Sequence, residues 1–177
     1  MANWCSIEAT LTLKNEEAAE KLYQTLNEKK ENGCLDFNGK VIFHDADIVF
    51  YQPLCELKIH TEVKWSLTHD DMIRFVKWLG RFVPVKELAA TVNYEEPGCQ
   101  IFGKYELRNG ILEDYYLDQE DLPEYDWEND DDDAYCAYFD KIYAKIEAAE
   151  SEVVYDFNAD EKTDLMKPLD KPKSTRK

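Results

Sequence analysis

Apolar residues recur at every second position in some stretches of this chain and at helical spacing in others, and the two patterns take turns. From Ser6 to Leu13, Ile7, Ala9, Leu11 and Leu13 alternate with polar neighbours, which predicts a strand. Asn15 is placed to cap a helix, with Glu16 and Glu17 in its first turn, where negative charge is favoured. Ala19, Leu22, Tyr23 and Leu26 form that helix's apolar stripe, and Asn32-Gly33 closes it. Val41 to Tyr51 is β-rich but broken by Asp45-Ala46-Asp47, a candidate bulge or tight turn. The clearest strand follows Pro53. Leu57, Ile59, Thr61, Val63, Trp65 and Leu67 share one side, and Glu56, Lys58, His60, Glu62, Lys64 and Ser66 the other. Such alternation predicts an antiparallel sheet with one covered and one wet face.

Thr68 then reads as an N-cap, with Asp71 three residues on as an approximate capping box. Met72, Phe75, Val76, Leu79 and Phe82 give a second helical stripe that Pro84 prevents from continuing. Leu88 to Tyr94 is a further strand, Glu95-Glu96-Pro97-Gly98 a turn, and Cys99 to Leu107 a return strand. Asn109-Gly110 makes a hairpin into Ile111–Leu117. The order through Tyr94 is β-α-β-β-α-β. This predicts an α+β fold of ferredoxin-like topology, an antiparallel sheet with both helices on one face. A C-terminal hairpin extends it, and Ala134 to Ala149 supplies an additional helix with Tyr135, Tyr138, Phe139, Ile142, Tyr143 and Ile146 on one side.

The expected organisation is therefore a core with its extra hairpin over 1–117, an acidic aromatic segment over 118–133, a helix and extension over 134–161, and a flexible basic tail over 162–177. A chain of 177 residues suits one domain, and 44% hydrophobic residues suffice for a real core. No run approaches the ~18 apolar residues of a membrane span, and the start lacks the pattern of a secretory signal, so a cytoplasmic protein without membrane contact is expected.

Charge changes the picture more than composition does. There are 38 Asp and Glu against 21 Lys and Arg, a net charge of −17. Such a surface repels phosphate backbones, which disfavours direct nucleic-acid binding and favours a basic partner. The five cysteines stand far apart without a Cys-x-x-Cys pair, so neither a disulfide framework nor a zinc ribbon nor an iron–sulfur cluster is indicated. Cys5 has no Lys, Arg or His beside it in sequence and reads as a packing thiol.

Two short stretches carry a family resemblance. Met1-Ala2-Asn3-Trp4-Cys5 running into a strand, and Tyr94-Glu95-Glu96-Pro97-Gly98 followed by Phe102-Gly103 and Asn109-Gly110, resemble the YubB-type ferredoxin-like family of phage and plasmid accessory proteins. The resemblance implies the same fold and an origin in a mobile element, and it transfers no catalytic residue. The chain has Ile7 where that family commonly carries Asn.

The candidate chemistry is concentrated late in the chain. Between Arg108 and Lys141 no basic residue occurs, while thirteen Asp and Glu accumulate. Glu113, Asp114, Tyr116, Asp118, Glu120, Asp121, Glu124, Tyr125, Asp126, Trp127, Glu128, Asp130, Asp131, Asp132 and Asp133 are the expected partner-binding residues. Their carboxylates would stand in for phosphates and their aromatic rings would supply anchoring contacts. The competing reading is an acidic linker, against which the density of Tyr and Trp counts. No EF-hand register fits; His44-Asp45-Ala46-Asp47 could suggest metal ligation, but on a straight strand His44 and Asp45 point to opposite faces, and His69 is accounted for by Asp70 and Asp71 at its helix start. No nucleotide loop, nucleophile elbow or triad is visible. The expectation is thus a non-enzymatic, cofactor-free, metal-free acidic protein that engages a basic surface, such as that of a nucleic-acid-handling host protein, in the manner of a DNA mimic or inhibitor. A small-molecule or metal-binding accessory domain is the alternative. A structural homo-oligomer, such as a dimer through exposed strands, is the third reading.

Overall fold

The structure is a computed structural model that describes residues 3–125 and 131–159. Strand β1 (Trp4–Thr12) leads into helix α1 (Glu16–Lys29), whose N-cap Asn15 accepts from the Ala18 amide at 2.8 Å. Strands β2 (Leu35–Phe37), β3 (Lys40–Tyr51) and β4 (Glu56–Lys64) precede helix α2 (His69–Leu79). Then come β5 (Ala89–Glu96), β6 (Ile101–Arg108), β7 (Ile111–Tyr116), helix α3 (Asp132–Ala148) and β8 (Glu152–Asp156). The eight strands form one sheet in the order β2-β3-β4-β1-β5-β6-β7-β8, every neighbouring pair antiparallel. The protein is an α+β fold on a single antiparallel sheet.

One face of this sheet carries α1 and α2. Cys5, Ile7, Ala9 and Leu11 of β1 and Leu57, Ile59 and Val63 of β4 meet Ala19, Leu22 and Leu26 of α1 and Met72, Phe75, Val76 and Leu79 of α2. Phe37, Phe43, Phe75 and Trp78 interlock with ring centroids 4.9–5.4 Å apart. Thr68 caps α2 as its spacing predicts, its hydroxyl accepting from the Asp71 amide at 3.2 Å and donating to the Asp71 carboxylate at 2.7 Å. The Asp45 interruption is a bulge: the β3–β4 register slips between His44 and Asp47, with Asp45 in the left-handed region at φ 49°. Asn109 and Gly110 both have positive φ, the requirement of a tight hairpin.

Three expectations change. Trp65 does not continue the inward side of β4, because the strand ends at Lys64; at φ 74° the residue turns out and its ring is 57% exposed. β2 and β8 join the sheet as short edge strands beyond those the periodicity predicts. The second face is wet only in part. His60, Glu62 and Lys64 of β4 are exposed there, but α3 lies over the β6 end, where Tyr138, Ile142 and Ile146 bury Phe102 in a separate small cluster. β6 is consequently covered on both sides, and Phe102 through Leu107 are all buried.

Candidate functional site

The acidic segment divides into three parts. Asp118, Glu120, Asp121 and Glu124 are exposed, as are Asp131, Asp132 and Asp133 at the start of α3, while Asp126, Trp127, Glu128 and Asp130 lie outside the described residues. The two described stretches are held against the body. Leu117, Leu122 and Tyr125 pack on the α3 cluster, and the Tyr125 ring sits 4.8 Å from that of Tyr138 and 6.2 Å from that of Tyr135. Lys145 of α3 donates to the Asp121 carbonyl, which ties the segment's backbone to the helix. The acids at the helix start have a local cause as well. Asp131 accepts from the Ala134 amide at 2.7 Å, and Asp132 and Asp133 stand at the positive end of the helix.

α3 is fastened by polar contacts besides its apolar stripe. Lys104, buried in β6, donates to Glu147 of α3 at 2.8 Å and pairs with Glu106 at 2.9 Å, its ammonium 4.7 Å from the centre of the Tyr115 ring. Burial alone would push this ammonium's pKa down, but the bonds to Glu147 and Glu106 outweigh it and leave the net direction upward. The Tyr143 hydroxyl donates to Glu95 of β5 at 2.8 Å. Tyr116 and Tyr135 stay 49% and 42% exposed among the carboxylates.

Two of the expected contact residues do different work. Tyr125, half-buried, anchors the segment. Asp114 is only 4% exposed and faces the sheet's inner side, so it is not part of the acidic surface. Its two partners come from two other elements. Oδ1 accepts from the Tyr94 hydroxyl of β5 at 2.9 Å, and Oδ2 lies 2.9 Å from Nε2 of His69 at the start of α2. Burial pushes the Asp114 carboxyl up; the bonds from His69 and Tyr94 oppose it. The arrangement depends on Gly103, the cross-strand partner of Tyr94, because a Cβ there would stand 2.1 Å from the Tyr94 hydroxyl oxygen. Glu113 is half-buried on the opposite side of β7 and accepts from Ser151 at 2.9 Å.

The Asp114 cluster forms the floor of an open cleft of about 430 Å³ between the start of α2, the β5–β6 turn and the segment after β7. Tyr105 lines it too, donating to the Leu67 carbonyl at 3.2 Å. At the turn, the amide of Asn3 donates to Cys99 Sγ at 2.8 Å, and the Cys99 thiol is pushed up first by its hydrogen bond to Glu96. Cys5 is fully buried and its thiol is raised by burial to about 11, as a packing thiol should be.

Sequence reasoning misses the Asp114 cluster because His69 has two acids beside it, whereas its partner stands 45 residues away. The available signal was Gly103 inside a strand, which marks a close approach. Compared with known proteins, the chain has no match among protein-family models, curated proteins or solved structures. Among the described residues, no helix is long and apolar enough to cross a membrane.

Proposed function

We propose that this chain is a non-enzymatic acidic binding protein that engages a basic protein surface, its carboxylates standing in for the phosphates of a nucleic acid. In this reading β1-α1-β3-β4-α2-β5 is a ferredoxin-like core, and β6–β8 with α3 is an added platform. The spatial order β3-β4-β1-β5 supports that assignment. The resemblance to mobile-element accessory proteins makes a nucleic-acid-handling host protein the fitting partner class.

One observation carries the reading: exposed carboxylates at 118–124 and 131–133 are fixed to the body through Leu117, Leu122, Tyr125 and α3. Charges held in place lose little freedom on binding and present a definite pattern, which a solvated acidic tail does not. Exposed Tyr116 and Tyr135 among them supply the ring surface that anchors protein interfaces.

The test is partner capture from a bacterial lysate by wild type and by a variant with Asp131, Asp132 and Asp133 changed to Asn. Wild type should recover proteins that elute with salt and are displaced by double-stranded DNA, and the variant should recover far less of them. Equal recovery by the variant, or capture insensitive to both salt and DNA, would contradict the reading.

A further inference from the structure

The cleft over Asp114 has an unusual hydrogen-bond inventory. The Tyr94 hydroxyl spends its proton on Asp114, and the Tyr105 hydroxyl spends its own on the Leu67 carbonyl. Nε2 of His69 faces Asp114, and in the neutral ring that donates from Nε2 the lone pair on Nδ1 has no partner among the described residues. The tyrosine donors at the floor are thus committed inward and leave their lone pairs to offer, while Ser66, Gln100 and Gln119 elsewhere in the lining can donate or accept. A carboxylate, Asp118, stands exposed at the mouth beside the half-exposed Tyr116 ring, and among the described residues no Lys or Arg lines the cavity. Leu67 and Phe102 contribute apolar wall.

A buried carboxylate costs more than an apolar filling of the same volume, so packing alone does not account for the cluster. Tyr94, His69 and the missing Cβ of Gly103 all serve to keep Asp114 in place beneath an open cavity. An acceptor-rich floor under a negative mouth excludes anions and suits a ligand that brings donors and positive charge. The cavity has the size of a small-molecule site.

We propose that this cleft binds a small protonated amine carried on an aromatic or apolar body. The ammonium is met by Asp118, the face of Tyr116 and the spare lone pairs at the floor, and the body lies against Leu67 and Phe102. The proposal does not rest on the partner-binding reading: the two share Asp118 and Tyr116, but the amine site uses none of the acids at the start of α3, so the variant with Asp131, Asp132 and Asp133 changed to Asn should bind tyramine as wild type does.

Three probes of one shape separate charge from shape: tyramine, neutral 4-ethylphenol and anionic 4-hydroxyphenylacetate, each titrated into the full chain by NMR. Tyramine should shift the ring signals of His69 and Tyr116 and bind about tenfold more tightly than 4-ethylphenol, the value of one hydrogen bond to a charged group. The anion should leave those signals unmoved. Asp118→Asn, at an exposed position that spares the fold, should abolish the preference for tyramine while leaving 4-ethylphenol unchanged. The proposal is overturned if the anion binds as well as the amine, if tyramine at millimolar concentration shifts signals only elsewhere on the acidic surface, or if Asp118→Asn retains the preference.

Discussion

The two ends of the sheet are built on different principles. At the β3-β4-β1-β5 end, two helices cover one face with a broad apolar layer, and strands such as β4 leave the other face wet. At the β6-β7-β8 end a single helix lies on the opposite face, seated on a cluster of four buried residues and fastened by Lys104–Glu147 and Tyr143–Glu95. The first end gains its stability from area removed from water; the second shares that core through Tyr105, Leu107 and Leu112, adds a helix fastened by polar contacts, and carries the exposed acids. Residues on the exposed surface of the second end can therefore be changed with little loss of the main core.

The largest expected effect is a contrast between one core residue from each end. Phe75→Ala, deep under α2, should cost about 3–5 kcal/mol and lower the urea midpoint of the whole protein. Ile142→Ala should cost less, near the ~2 kcal/mol floor for such truncations, and should raise hydrogen exchange in α3 while β1 and β4 stay protected. Equal, global effects would show that the two ends unfold as one unit.

Next comes pH. Cys5 at the first end holds its thiol near 11, against 9.0 in an unfolded chain. The folded state therefore keeps its proton where the unfolded state loses it. Stability contributed by the neutral thiol is fully present below pH 9 and declines as pH rises from 9 to about 11. The loss amounts to about 2–3 kcal/mol from this residue, and Cys5→Ala should remove that part of the alkaline slope.

The smallest effects belong to the seam between the ends, where β5 meets β6. Tyr94→Phe leaves an oxygen of buried Asp114 unpaired and should cost about 1–3 kcal/mol. Gly103→Ala forces the tyrosine aside and should cost a similar ~1–3 kcal/mol by overpacking, read by thermal unfolding. If both variants proved neutral, Asp114 would not be held as described.

The contrast between the ends also explains what could be read from the residues. β4 was legible because one face is buried and one is wet, so Leu57, Ile59, Thr61 and Val63 alternate with polar neighbours. β6 is covered on both faces, and alternation between Phe102 and Leu107 is blurred by buried Lys104 and Glu106. β8, with Val153 60% exposed on an edge, has no buried face to impose a pattern. Trp65 broke the alternation of its strand through a positive φ that no neighbouring glycine announces. At the site, exposed acids were legible as charge. The burial of Asp114 was not, because the pairing of β5, β6 and β7 brings Tyr94 to it and the docking of the α2 start brings His69.

In the proposed function, recognition needs the carboxylates held in place, beyond their mere presence. Leu122→Ala combined with Tyr125→Ala removes the anchor and leaves the net charge at −17. Capture of basic partners at fixed salt should fall about tenfold in this variant, about 1.4 kcal/mol of binding lost with the ordering of the segment. Capture at the wild-type level by the unanchored but equally charged chain would contradict it.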